Sequence, residues 1–195
     1  MIVITNPIPI TNEINTIHSL FENGLELLHA RKPDFSEEEM KVFLSKVEQD
    51  YRCLMVLHQH HQLAEDFGIN RIHFSENKRA EWNLNKEEDF LIKSTSTHSI
   101  SDFNSLDDCF NYAFLSPIYQ SISKPEYVSN LNIEKGIKQR INFKTRLVAL
   151  GGISSENIKE TYRLGFDTVA LLGTIWNSTN PIENFKLCQQ IAHSF

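Results

Sequence analysis

The chain has 195 residues, 41% of them hydrophobic, and its 19 basic against 25 acidic side chains leave a net charge of −6. That composition supports a packed core, excludes disorder and collagen-like repeats, and argues against a nucleic-acid binder, which needs a basic face. No apolar run approaches the ~20 residues that span a bilayer, the opening MIVITNPIPI reads as a strand rather than a signal peptide, and three scattered cysteines point to a reducing cytoplasm.

Short β-branched runs alternate with segments of helical spacing. Ile2 to Thr5 reads as a first strand, and Ile14, Ile17, His18 and Phe21 form a helical stripe ending at Asn23-Gly24. Leu25 to His29 follows as a strand. Ser36 and Glu39 make a capping box opening a helix whose apolar face is Met40, Phe43, Leu44 and Val47. The third strand is expected over Cys53 to Leu57, with a helix carrying Leu63, Ala64 and Phe67 and closing at Gly68. Ile69 to Phe74 is the fourth strand, and the polar stretch 75–86 holds one helical turn around Trp82. Phe90 to Thr95 is the fifth strand and Ser101 to Cys109 a short helix. Tyr112 to Ile118 is the sixth, with a helix around Ile133 to Ile141. Arg146 to Leu150 is the seventh, with a helix from Ser154 to Gly165, and Thr168 to Leu172 the eighth. The last helix opens at Asn180-Pro181. Cys53, Cys109 and Cys188 sit in apolar contexts and read as small core residues.

Eight strand–helix units with unbroken apolar strands indicate a parallel sheet buried on both faces, either an open doubly wound sheet or a barrel. Eight units in one short domain, residues 1–195, favour a single α/β domain of the (β/α)8 TIM-barrel type. Active sites of such barrels lie at the C-terminal ends of the strands, where this chain gathers Arg31, Lys32, Lys124 and several histidines. An acidic protein that concentrates cations at one rim is expected to bind an anion. Gly151 and Gly152 after the seventh strand, with Leu172 and Gly173 after the eighth, form a phosphate cradle of backbone N–H groups, though the glycine pair would equally serve a tight turn. Ser121, Ser123 and Lys124 offer hydroxyl and ammonium donors to phosphate, as any solvated loop can. His98 is a proton carrier, or a cap on the next helix. His58, His60 and His61 have no carboxylate at matching spacing and read as a polar helix start, so no metal ligands are expected.

The ordered motifs resemble the family of thiamine phosphate synthase and thiazole tautomerase over essentially the whole chain. The matching segments are Leu27 to Lys32, Gly68 to His73, Ser96-Thr97-His98-Ser99, Tyr112 to Tyr119 with Ser121 to Lys124, Leu150 to Ile153 with Asn157, and Gly165 to Thr174. In the synthase, the resemblance implies a pyrimidine pyrophosphate that ionises, a thiazole nitrogen that traps the cation, and Mg2+ with basic groups on the departing pyrophosphate. Here the family's Asn-Asp pair falls on His58 and Gln59, and its second magnesium aspartate falls near Lys78. The tautomerase branch needs one acid–base histidine and an anion cradle, without metal, and those parts are retained. A tautomerase acting on thiazole phosphate, with His98 moving the proton and no cofactor, is therefore the favoured expectation. The synthase, with Mg2+, is the alternative, and a non-catalytic precursor-binding regulator a further one. In these readings Gly151, Gly152, Leu172, Gly173, Ser121 and Ser123 hold phosphate, while His29, Arg31, Lys32, His58, Ser96 and Lys124 contact substrate. Neither nucleic acid nor membrane is an expected partner.

Overall fold

Eight parallel strands pair in chain order and close on themselves, the first hydrogen-bonding to the eighth, in a computed structural model that describes residues 1–81, 91–119 and 133–194. The strands are β1 (Ile2–Ile4), β2 (Leu27–Ala30), β3 (Met55–Leu57), β4 (Arg71–Phe74), β5 (Ile92–Thr97), β6 (Phe110–Leu115), β7 (Arg146–Leu150) and β8 (Thr168–Leu171). The connecting helices are α1 (Glu13–Glu22), α2 (Glu37–Ser45), α3 (Gln49–Arg52), α4 (Leu63–Asp66), α5 (Glu76–Glu81), α6 (Ile100–Asn104), α7 (Ile133–Ile137), α8 (Ile158–Arg163), α9 (Gly173–Trp176) and α10 (Pro181–Ala192). This is the (β/α)8 barrel that the alternation of elements predicts. Among the described residues no helix is long and apolar enough to cross a membrane.

The unbroken apolar strands follow from burial on both sides. Alternate residues leave a strand in opposite directions. Ile2, Ile4, Tyr112, Phe114, Val148 and Ala170 therefore fill the barrel, while Val3, Leu28, Ala113, Leu147, Val169 and Leu171 pack beneath the helices. The capping box at Ser36 is present: its hydroxyl accepts from the Glu39 N–H, and the Glu39 carboxylate accepts from the Ser36 N–H. Met40, Phe43 and Leu44 are buried as expected.

Several expectations shift. The third strand begins at Met55, because residues 49–52 form α3 and Cys53 caps it, exposed rather than in the core. Cys109 is only half-buried and lies outside any helix, whereas Cys188 in α10 is buried. The fifth strand runs two residues further than its apolar stretch. Its hydroxyl-rich end is held by neighbouring carbonyls: Thr95 donates to Phe74 at 2.9 Å and Thr97 to Phe114 at 2.8 Å. Ser96 is consequently part of β5 rather than beyond it. The α8 helix starts at Ile158, since Asn157 spends its side chain on the preceding turn, accepting from the Ser154 N–H (2.9 Å) and donating to the Gly152 carbonyl (2.8 Å). Trp82 lies outside the described residues.

Candidate active site

A cavity of about 710 Å³ opens at the C-terminal ends of the strands, within the size range of small-molecule sites. One side is the glycine wall of Gly151, Gly152, Leu172, Gly173 and Thr174. Gly151 has φ +102°, and a Cβ there would lie 2.9 Å from Pro117 Cα, so only glycine allows β7 to turn against that proline. Gly173 opens α9, whose first N–H groups have no partner inside the helix. Asn157 holds the Gly152 turn from behind, and Thr174 Oγ1 donates to the Ile153 carbonyl, so both glycine turns are fixed to one another.

The opposite side is cationic. Arg31 follows β2, where Thr5 accepts from its N–H (2.9 Å) and donates to its carbonyl (3.1 Å). Lys78, on α5, reaches the same cavity. Arg79 ties α5 to the barrel by donating to Thr95 Oγ1 (3.0 Å), the Ser96 carbonyl (2.7 Å) and Asp102 (2.8 Å).

Lys32, expected at the substrate, is elsewhere. Successive side chains at the end of β2 diverge, and where Arg31 faces the mouth Lys32 turns under α1. Its ammonium is fully buried, 2.6 Å from the Glu13 carboxylate and 2.8 Å from the Asn6 carbonyl. Burial pushes the Lys32 pKa down and that of Glu13 up, while each partner pulls the other back. Lys32 braces the fold and does not line the cavity.

His98 stands just beyond β5 with its side chain 56% exposed and lines the cavity. Its Nδ1 lies 2.7 Å from the Ser116 carbonyl. A carbonyl only accepts, so the proton is on Nδ1 and Nε2 carries the lone pair. Nε2 is 3.6 Å from Glu76 Oε2; a proton arriving at Nε2 meets a carboxylate. Glu76 was not among the expected site residues.

The interior end of the cavity is built from histidines. His58 and His73 line it, while His29 is completely buried behind them. His29 Nδ1 lies 2.8 Å from His58 Nε2, and His29 Nε2 lies 2.7 Å from the Tyr112 hydroxyl. His73 spans two serines, Nδ1 to Ser94 and Nε2 to Ser96, both at 2.9 Å. Its ring stacks on that of His58, 4.1 Å between centroids. Burial, then the nearby His61 and Arg31 side chains, lowers the His73 pKa to about 3. Burial also holds His29 and His58 well below the ordinary histidine value, so these rings are neutral. His60 and His61 do not join them: their Nε2 atoms reach the Phe35 and His73 carbonyls. The His58–His60–His61 run is thus no metal grouping; the imidazoles that do come together are His29, His58 and His73, from three strand ends. His73 and Tyr112 were absent from the expected site. Their signal was the two-residue alternation of β4 and β6, which turns both side chains into the barrel. Ser121, Ser123 and Lys124 lie outside the described residues.

Residues 1–175 match the family model described as thiamine monophosphate synthase. The chain belongs to that family. It is 22% identical to a thiamine-phosphate synthase of Caldicellulosiruptor saccharolyticus over 94% of this chain and 86% of that protein. A thiamine-phosphate synthase of Flavobacterium psychrophilum is 23% identical over 93% and 92% of the two chains. The crystal structure of a thiamine phosphate pyrophosphorylase from Bacteroides thetaiotaomicron superposes with a TM-score of 0.80 at 29% identity, covering 99% of this chain and 97% of that one. A Pyrococcus furiosus homologue, at 15% identity and a TM-score of 0.77, shares the fold.

The magnesium that this family's synthases imply calls for hard oxygen ligands, usually one or two carboxylates with substrate phosphates. Among the described residues the cavity wall carries one carboxylate, the exposed Glu76, which faces His98 and sits beside Lys78 on α5. At the ends of β3 and β4 stand imidazoles, an amide and an ammonium instead. The residues present do not fit a carboxylate-held magnesium.

Proposed function

We propose that this thiamine-biosynthesis family member joins hydroxymethylpyrimidine pyrophosphate to thiazole phosphate. The observation that carries the reading is the two-ended cavity: a glycine wall suited to one phosphate, faced by Arg31 and Lys78, which are suited to a second and more highly charged group. The pyrimidine C–O bond breaks with its electron pair leaving on pyrophosphate, and the thiazole nitrogen lone pair forms the new C–N bond to the resulting cation. Arg31 and Lys78 stabilise the charge that develops on the leaving group. Lys78 stands near the point where the relatives' pattern places a carboxylate. A carboxylate carrying a divalent ion has net charge +1, and so does a lysine, so the electrostatic support for the leaving group is preserved without the ion. The synthase relatives support this reading over the tautomerase that the sequence favours.

One observation supports a proton shift on carboxythiazole phosphate as a second reading: Ser116 fixes the His98 tautomer with a bare Nε2 at the cavity mouth. The two readings part in one assay. The purified chain is incubated with both thiazole phosphate isomers, then with the pyrimidine pyrophosphate, with and without Mg2+. Thiamine phosphate formation, reduced about 10²–10³-fold in Lys78→Gln by the usual worth of a transition-state donor, is the expected result. Isomerisation without thiamine phosphate, lost about 10²–10⁴-fold in His98→Gln, would give the site to the tautomerase instead.

A further inference from the structure

The geometry points to a transition-metal site formed by His29, His58 and His73 at the inner end of the cavity, selective for a borderline ion such as Zn2+. One nitrogen from each ring can be chosen so that all three lie within 4.8 Å of one another. In a tetrahedral zinc site with Zn–N near 2.0–2.1 Å, ligand nitrogens stand roughly 3.3 Å apart. The closest pair here, 2.8 Å between His29 Nδ1 and His58 Nε2, is separated by a single shared proton. A cation in that gap takes the place of the proton, and a modest turn of His58, the half-buried ring at the end of β3, widens it.

The atoms behind two of the rings, His29 and His73, are arranged as they are behind metal-binding histidines, whose far nitrogens are normally fixed by an oxygen. Ser94 spends its own proton on the Ile72 carbonyl (3.2 Å), so it accepts from His73 Nδ1–H. That leaves the lone pair of His73 on Nε2, the atom facing Ser96 at the cavity. Tyr112 holds His29 Nε2 and thereby directs Nδ1 toward His58. No carboxylate belongs to the triad, and imidazole donors favour zinc, cobalt or nickel over magnesium. Three protein ligands leave a coordination position for an anionic oxygen or water from the cavity, which His58 and His73 line.

The test needs no substrate. The full chain is stripped with a chelator and titrated calorimetrically with Zn2+, and in parallel with Co2+ while its visible d–d absorption is followed. One equivalent should bind, and cobalt should give the intense bands of a four-coordinate site. Tyr112→Phe, which removes only the oxygen behind His29, should weaken binding about 10–100-fold. His58→Asn, at the least buried ligand, should abolish it, with circular dichroism showing that the barrel is intact. His60→Asn should change nothing. Absence of uptake with excess zinc, or uptake that survives both His58→Asn and His73→Asn, overturns the assignment. These readouts are independent of whether the chain is a synthase or a tautomerase.

Discussion

At the scale of single residues, two lysines show how position decides what a charge does. Lys78 is exposed at the cavity, whereas Lys32 is sealed against Glu13. Removing one partner of a buried pair leaves the other desolvated and alone, which costs about 3–5 kcal/mol, whereas replacing both with apolar groups is often neutral. Lys32→Ala should therefore lower the unfolding free energy by that amount, and the double variant Lys32→Met with Glu13→Leu should recover most of it. Denaturant titration of the three proteins checks this. A near-neutral Lys32→Ala would mean that the pair contributes nothing. Substrate KM should barely move in whatever folds, since neither side chain lines the cavity.

At the scale of elements, the turn after β7 is the tightest requirement. Gly151 combines a left-handed φ with backbone contact to the segment after β6, where Ile118 and Tyr119 N–H groups bond the Leu150 and Gly151 carbonyls, each at 3.0 Å. Alanine there meets both the conformational cost of ~1–3 kcal/mol and the Pro117 backbone. Gly151→Ala should lose stability by at least that much and weaken binding of inorganic phosphate to the glycine wall, measurable by calorimetry on the folded fraction. Unchanged melting with unchanged phosphate affinity would show the turn to be more adaptable than its geometry implies. Gly68 is a useful contrast: its φ is +68°, but a Cβ there would meet nothing within 4 Å, so only the conformational cost applies.

At the scale of the whole molecule, a barrel that buries neutral histidines ties its stability to pH. Each unfolded ring takes up a proton near pH 6.5, whereas the folded values of His29, His58 and His73 are pushed down, that of His73 to about 3. Below pH 6.5 the unfolded chain thus binds more protons than the fold. Stability is full above that pH and falls as pH drops, by up to about 1.4 kcal/mol per pH unit for each ring, until the folded values are reached. Because the rings are in contact, the protons belong to the cluster rather than to any one ring. Between pH 6.5 and 5, above the main titration of ordinary carboxylates, denaturation midpoints should decline, and His73→Asn should decline less steeply. Equal slopes would remove the cluster from the acid response.

Local pattern and physical period are enough to read much of this protein from its chain. Unbroken apolar strands, the Ser36–Glu39 box and the glycine turns after β7 and β8 all depend on neighbours a few residues away, and so does the order of eight strand–helix units that closes into a barrel. The hydroxyl-rich end of β5 was not legible, because its only strand signal is the carbonyls of Phe74 and Phe114 on adjoining strands. The pairing of Lys32 with Glu13 and the meeting of His29, His58, His73 and Tyr112 were decided by barrel closure. Their chemistry depends on which side of a strand each residue leaves and on how far water is excluded. Both are set by packing among residues 19 to 83 positions apart, a distance over which one linear pattern carries no information about contact.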